Sequence, residues 1–189
     1  MEMDWKVIVS TLVGGLITFA ATTGQEMLRI RRTRRAALIT VAAEIAAALD
    51  IVRAREWRRD IMVCLDQAIE GRVYRLSIQM PKDTLTCSRS ALAQGSLGYG
   101  DLTVLVAKLV MVVDGLKADL DRLFEYDFGD PKCVVSADDP EHAVKLYSEM
   151  LGLLDAAESF GMEAVRLAAD RLGRDGRGLP TYVDASSPP

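Results

Sequence analysis

From Val7 to Gln25 the chain runs nineteen residues without a charge, and five arginines follow between Arg29 and Arg35. At about 1.5 Å rise per residue, a helical run of this length just spans a hydrocarbon core of roughly 30 Å. Arginines flanking a span stay on the cytoplasmic side, because moving them through the membrane is costly and the membrane potential opposes it. The leader sets Glu2 and Asp4 against Lys6, so it is the easier end to translocate. The expected layout is a short extracytoplasmic leader (1–6), a single transmembrane helix (7–25) and a basic juxtamembrane segment (26–35). A cytosolic helical domain (36–172) and a disordered tail (173–189) complete it. The expected location is a bacterial inner membrane, N-terminus out. Arg29, Arg31, Arg32, Arg34 and Arg35 are the candidate contacts to anionic lipid.

On a helical wheel the span has two unlike sides. Ser10, Thr11, Gly14, Gly15, Thr18, Ala21, Thr22 and Gln25 share an arc of about 140°, intruded on by Val7 alone, and the larger apolar residues cover the rest. Small residues four apart (Ser10, Gly14, Thr18, Thr22) let two backbones approach closely and let hydroxyls bond across the contact. Ser10, Thr11, Gly14, Gly15, Thr18 and Thr22 are therefore the candidate self-association face, and a homo-oligomer is expected. In a higher oligomer the same face would line a small pore. The plain alternative is a weakly hydrophobic anchor whose threonines bond back to their own helix carbonyls.

Two other readings of the run fit less well. A secretory signal peptide has a basic n-region, whereas this one leans acidic, although Ala20 and Ala21 resemble a cleavage site. A buried helix of a soluble domain explains neither the one-sided arginines nor Trp5 at the outer boundary, where indole rings favour the interface.

The rest of the chain is long enough for one domain with a core. Half of all residues are hydrophobic but only 6% are aromatic, a mix that suits packed helices over sheets. An all-α fold is expected, with the anchor running into an up-down bundle of three long helices and a short fourth helix packed on them. The first long helix continues from the membrane with no Gly or Pro between Gln25 and Glu70. Its seam is Leu38, Val41, Ile45, Ala48 and Val52. The stretch Ala36 to Leu49 holds Glu44 and ends at Asp50, so it is too short and too charged for a second span. The second long helix begins at Asp101 as N-cap and carries Val106, Leu109, Val113, Leu116, Leu120 and Leu123. Gly129 and Pro131 end it. The third starts at Asp139-Pro140-Glu141 and keeps its rhythm from Tyr147 through Gly161 to Leu172. Gly161 costs helix stability, so on that seam it marks a close helix crossing. Between the first two helices, Val73 to Met80 reads as extended and Thr84 to Gln94 as a short helix.

Charge is uneven. Residues 26–60 hold nine arginines against five acids, a net of +4, and residues 101–172 hold fifteen acids against seven basic residues, a net of −8. An anionic leaflet attracts the first region and repels the second. The acidic part therefore sits away from lipid, or folds back so that its carboxylates meet Arg53, Arg55, Arg58 and Arg59. Apart from Trp57 the basic stretch lacks interleaved aromatics, so nucleic acid is not an expected partner.

Chemistry-bearing motifs are nearly absent. His142 is the only histidine, which removes histidine triads and multi-histidine metal sites. Cys64, Cys87 and Cys133 are odd in number and widely spaced, with no CxxC, as in a reduced compartment. Gly95-Ser96-Leu97-Gly98-Tyr99-Gly100 lacks the lysine and hydroxyl residue of a phosphate loop and reads as a helix-breaking loop. Asp127-Phe128-Gly129 has no kinase context. The acidic connector Glu125 to Glu141 fits no calcium loop. No catalytic residue, cofactor or metal site is expected. The expectation is a non-enzymatic, membrane-tethered, self-associating scaffold or regulator that offers its acidic bundle to a cytosolic protein. The alternative is an oligomeric membrane-perturbing effector of a mobile element or defence system, and an enzyme on a membrane leash ranks third.

Overall fold

The computed structural model describes the backbone of residues 5–73, 76, 78–81, 83–98, 100–125 and 139–174, and side chains over the same ranges except 5–18, 20, 122–125 and 174. Five α-helices and no strand occur among the described residues: α1 (Trp5–Ala54), α2 (Trp57–Ile69), α3 (Thr86–Ala93), α4 (Asp101–Glu125) and α5 (Pro140–Arg174). The chain divides into two compact units, 1–36 and 37–189, with the division falling inside α1. The first four residues of the leader, the segment from 126 to 138 and the tail beyond 174 lie outside the described residues.

Apolar periodicity explains the buried face of each long helix. On α1, Leu38, Val41, Ala42 and Ile45 are buried, with Ala48 and Val52 partly so. On α4 the seam Val106, Leu109, Val113, Leu116 and Leu120 is buried throughout, and Leu123 falls outside the described side chains. On α5, Tyr147, Met150, Leu154, Ala157, Ala164, Ala168 and Leu172 are all buried. Asp139 starts α5 as expected, its Oδ1 accepting the His142 amide at 3.0 Å ahead of Pro140 at the first helical position. At α4 the cap is one residue earlier than expected. The Gly100 carbonyl accepts the Thr103 and Val104 amides, leaving Asp101 inside the first turn, where its charge favours the helix dipole.

The expected single helix from Gln25 to Glu70 is corrected at Arg55–Glu56. There the chain makes a turn, and Glu56 adopts the left-handed conformation (φ 50, ψ 34) before α2 begins. The cause is a slip in apolar phase. From Val52, a further step of three or four lands on Arg55 or Glu56, and the next large apolar residue, Trp57, is five away. In an unbroken helix Trp57 would point about 140° away from Val52. Breaking the helix lets Trp57, Ile61, Cys64 and Ala68 all turn inward. Gly71 ends α2 at φ +79, its amide bonded to the Ala68 carbonyl and the Arg72 amide to Gln67, a left-handed cap.

Unit 37–189 has two apolar cores, and the chain passes between them four times. The α1 residues Leu38 to Ile45 belong to the first core, and Trp57 to Ala68 of α2 belong to the second. Leu76 and Ile78 leave the second core, and Leu85, Ala91 and Leu97 rejoin the first. Helix α4 then runs from first to second (Leu102 to Leu120), and α5 returns (Ala143 to Leu172). Cross-contacts agree on direction. Lys108 lies over the Phe160 ring at 5.6 Å and Leu153 lies against Gly115, so α4 and α5 are antiparallel. Ile45 and Leu49 face Gly161 while Arg58 pairs with Asp155 and Glu158, so α1 and α2 also run against α5. The expected up-down order of the three long helices is corrected: the connection 70–100 serves as a descending leg, so α1–α2 and α4 are parallel and α5 runs against both. Too little of that leg is periodic for its direction to be read from sequence; Leu76 and Ile78 are buried without forming a strand.

Candidate functional site

The residues singled out in sequence separate into two groups. Of the small face, only Thr22 has a described side chain. It is exposed, and its hydroxyl donates to the Phe19 carbonyl at 3.0 Å, the back-bonding expected of a plain anchor. Ser10, Thr11, Gly14, Gly15 and Thr18 lie within α1, but their side chains are outside the described set. Among the described residues no helix is long and apolar enough to cross a membrane. Phe19, Met27, Leu28 and Ile30 are exposed apolar side chains on this part of α1. Arg29, Arg31, Arg32 and Arg34 are exposed too, and Arg35 is half-buried.

Arg58 realises the expected folding-back of acidic residues onto the basic stretch. It bridges Asp155 and Glu158 of α5, the latter at 2.8 Å. Arg59 pairs locally with Glu56, and Arg53 reaches the Met162 sulfur at 3.5 Å. A second cross-element pair joins Arg89 of α3 to Asp114 of α4, and this hydrogen-bonded cation holds the Asp114 carboxyl below its ordinary range.

The most committed polar group in the unit is Glu44. Leu85, the residue capping α3, is left-handed (φ 58) and has no side-chain oxygen to satisfy the first amides. Glu44 of α1 supplies both oxygens instead. Oε1 accepts the Cys87 amide at 2.8 Å, and Oε2 accepts the Ser88 amide at 2.8 Å and the buried Ser88 hydroxyl at 2.7 Å. A carboxylate at a helix N-terminus meets both orphan donors and the positive end of the dipole. The Glu44 charge pushes the Cys87 thiol up, which disfavours the nucleophilic thiolate. Burial first, then Asp60, pushes Cys64 up as well. In sequence Glu44 registers only as an obstacle to a second span. One charge alone in an apolar helix is the available signal that it has a partner.

Beside this cap the unit holds a cavity of about 290 Å³. It lies where α1 breaks into α2 and the connection 80–85 crosses, with walls from both cores. Ala48, Val52 and Trp57 form one side, Met80 and Leu85 another, and Leu109 to Leu116 of α4 the floor. Nearly the whole lining is carbon. Glu44, Asp83 and Thr84 contribute the polar edge, and the Thr84 hydroxyl is already engaged by the Pro81 carbonyl at 2.7 Å. No described buried side-chain nitrogen or oxygen lacks a partner. Among the described residues no cluster of three or more His, Cys, Asp or Glu could hold a metal ion. The arrangement offers apolar volume edged by two carboxylates, Glu44 and Asp83. The chain matches no family model, no curated protein and no solved structure.

Proposed function

We propose that this chain is a membrane-tethered helical interaction protein, anchored by residues 7–25 and self-associating through the small face of that segment. The supporting observation is the course of α1. It is helical without interruption through the whole uncharged run and on past the arginines. Beyond the run it carries exposed Met27, Leu28 and Ile30 beside exposed Arg29, Arg31, Arg32 and Arg34. Apolar side chains interleaved with arginines suit the depth where a bilayer gives way to anionic headgroups. The bundle is the part offered to a cytosolic protein, and scaffolding needs no catalytic group.

The test combines topology with association. A reporter fused after Pro189 is expected to behave as cytoplasmic in a bacterial host, and alkaline phosphatase activity from that fusion overturns the orientation. Gly14→Leu with Thr18→Leu makes the span more hydrophobic, so insertion is kept, while the close-approach face is filled. Cross-linking in detergent is expected to shift from oligomer to monomer. An unchanged oligomer rejects the contact face. If the natural chain also leaks dye from vesicles and the double mutant does not, the two-sided segment lines a pore and the effector reading replaces the tether.

A further inference from the structure

We infer that the cavity at the α1–α2 break is a binding site for an uncharged apolar ligand, such as a medium-length hydrocarbon chain ending in a hydroxyl. The size, chemistry and position of the cavity all suit such a ligand. At about 290 Å³ the space, which is partly open to solvent, is nearly twice the roughly 150 Å³ at which an enclosed apolar cavity already takes up benzene. Water gains little there, since each molecule needs two to four polar partners and the lining supplies almost none. The polar edge is largely occupied by bonds within the fold. Glu44 accepts three hydrogen bonds from α3, and the Thr84 hydroxyl serves Pro81. A ligand therefore gains dispersion and apolar burial inside, with room for one hydroxyl at the edge.

Charge selects among apolar molecules. Among the described residues lining the cavity, the charged ones are Glu44 and Asp83, both carboxylates. Arg89 donates to the Thr84 carbonyl, but its guanidinium holds Asp114. A fatty acid would bring a third negative charge to that edge, whereas an alcohol would not. Position makes the site more than a packing fault. Void space collects where helix phase slips and both cores end, and its outer wall is the loop that carries left-handed Leu85 and half-buried, adaptable Met80.

Trp57 lines the cavity and is only 5% exposed, so it reports occupancy from within. The chain has two tryptophans, and Trp5→Phe leaves Trp57 alone. The full-length Trp5→Phe protein in lipid nanodiscs is titrated with a terminally brominated ten-carbon alcohol, whose bromine quenches indole on contact. Saturable quenching at one equivalent is expected, reversed by the unbrominated alcohol. Ala48→Phe fills the space and is expected to abolish the saturable phase. The brominated carboxylic acid of matching length is expected to need a several-fold higher concentration. Quenching that is absent, or linear without saturation, overturns the site whatever Ala48→Phe does. Equal potency of acid and alcohol overturns the choice of an uncharged ligand. The cavity lies wholly within 37–189, so the site itself does not rest on residues 7–25 entering a bilayer, and a chain that fails to enter nanodiscs is titrated in buffer alone.

Discussion

Gly161 and Gly152 sit nine residues apart on one helix and have opposite reasons to be glycine. A Cβ on Gly161 would meet Leu49 Cδ1 at 3.2 Å and Ile45 Cγ2 at 3.3 Å, so the two helices touch nearly backbone to side chain. Gly152 is exposed and has nothing within 4 Å of that position. Gly152→Ala is therefore expected to raise stability by about 0.5–1 kcal/mol, the helix-propensity gain. Gly161→Leu is expected to lower it by about 1–3 kcal/mol through overpacking. Thermal or urea unfolding of both variants checks the pair, and equal effects would mean that the crossing is loose. The tight crossing at Gly161 was legible, since a glycine that weakens an otherwise unbroken seam makes sense where a neighbouring helix leaves no room for a Cβ. The role of Glu44 was not, because its partners lie 43 and 44 residues along the chain and no local pattern announces them.

At the scale of elements, sequence periodicity carried α4 and α5 almost to their ends but overran α1. Val52 to Trp57 is a five-residue step where a helix seam takes three or four, and the absence of Gly and Pro concealed its meaning. The turn is therefore made by Glu56, a residue that dislikes the conformation it adopts. A left-handed non-glycine residue costs about 1–2 kcal/mol, part of which glycine recovers. Glu56→Gly is expected to stabilise the fold by up to about 1 kcal/mol, reduced by whatever the exposed pair with Arg59 contributes. Glu56→Val is expected to destabilise it, since a β-branched side chain is hardest to place at positive φ. Chemical denaturation of the two variants separates them, and a gain in stability for valine would contradict a left-handed turn.

For the whole molecule, the decisive property is that neither core belongs to one stretch of chain. Leu116 is 2% exposed in the second core, close along α4 to where the first core ends. Leu116→Asp buries an unpaired carboxylate there and is expected to cost about 3–5 kcal/mol. Because α4 and α5 run through both cores, the loss is expected to appear as one cooperative transition by circular dichroism, with both ends of the bundle failing together. Survival of helical signal from one end alone would mean that the cores are independent. The helical class and both long seams were readable because period and length agree over many turns. The descending leg was not, because Leu76, Ile78 and Leu85 enter the cores singly from non-helical chain.

The four passes also set an order of events during synthesis. Among the described helices α5 is made after the others, yet it supplies Tyr147, Met150 and Leu154 to one core and Ala164, Ala168 and Leu172 to the other. Until it emerges, Trp57, Ile61 and Leu116 in one core and Val106 in the other lack the wall that α5 supplies. The nascent bundle therefore stays open, with apolar surface uncovered at both ends, until α5 is made.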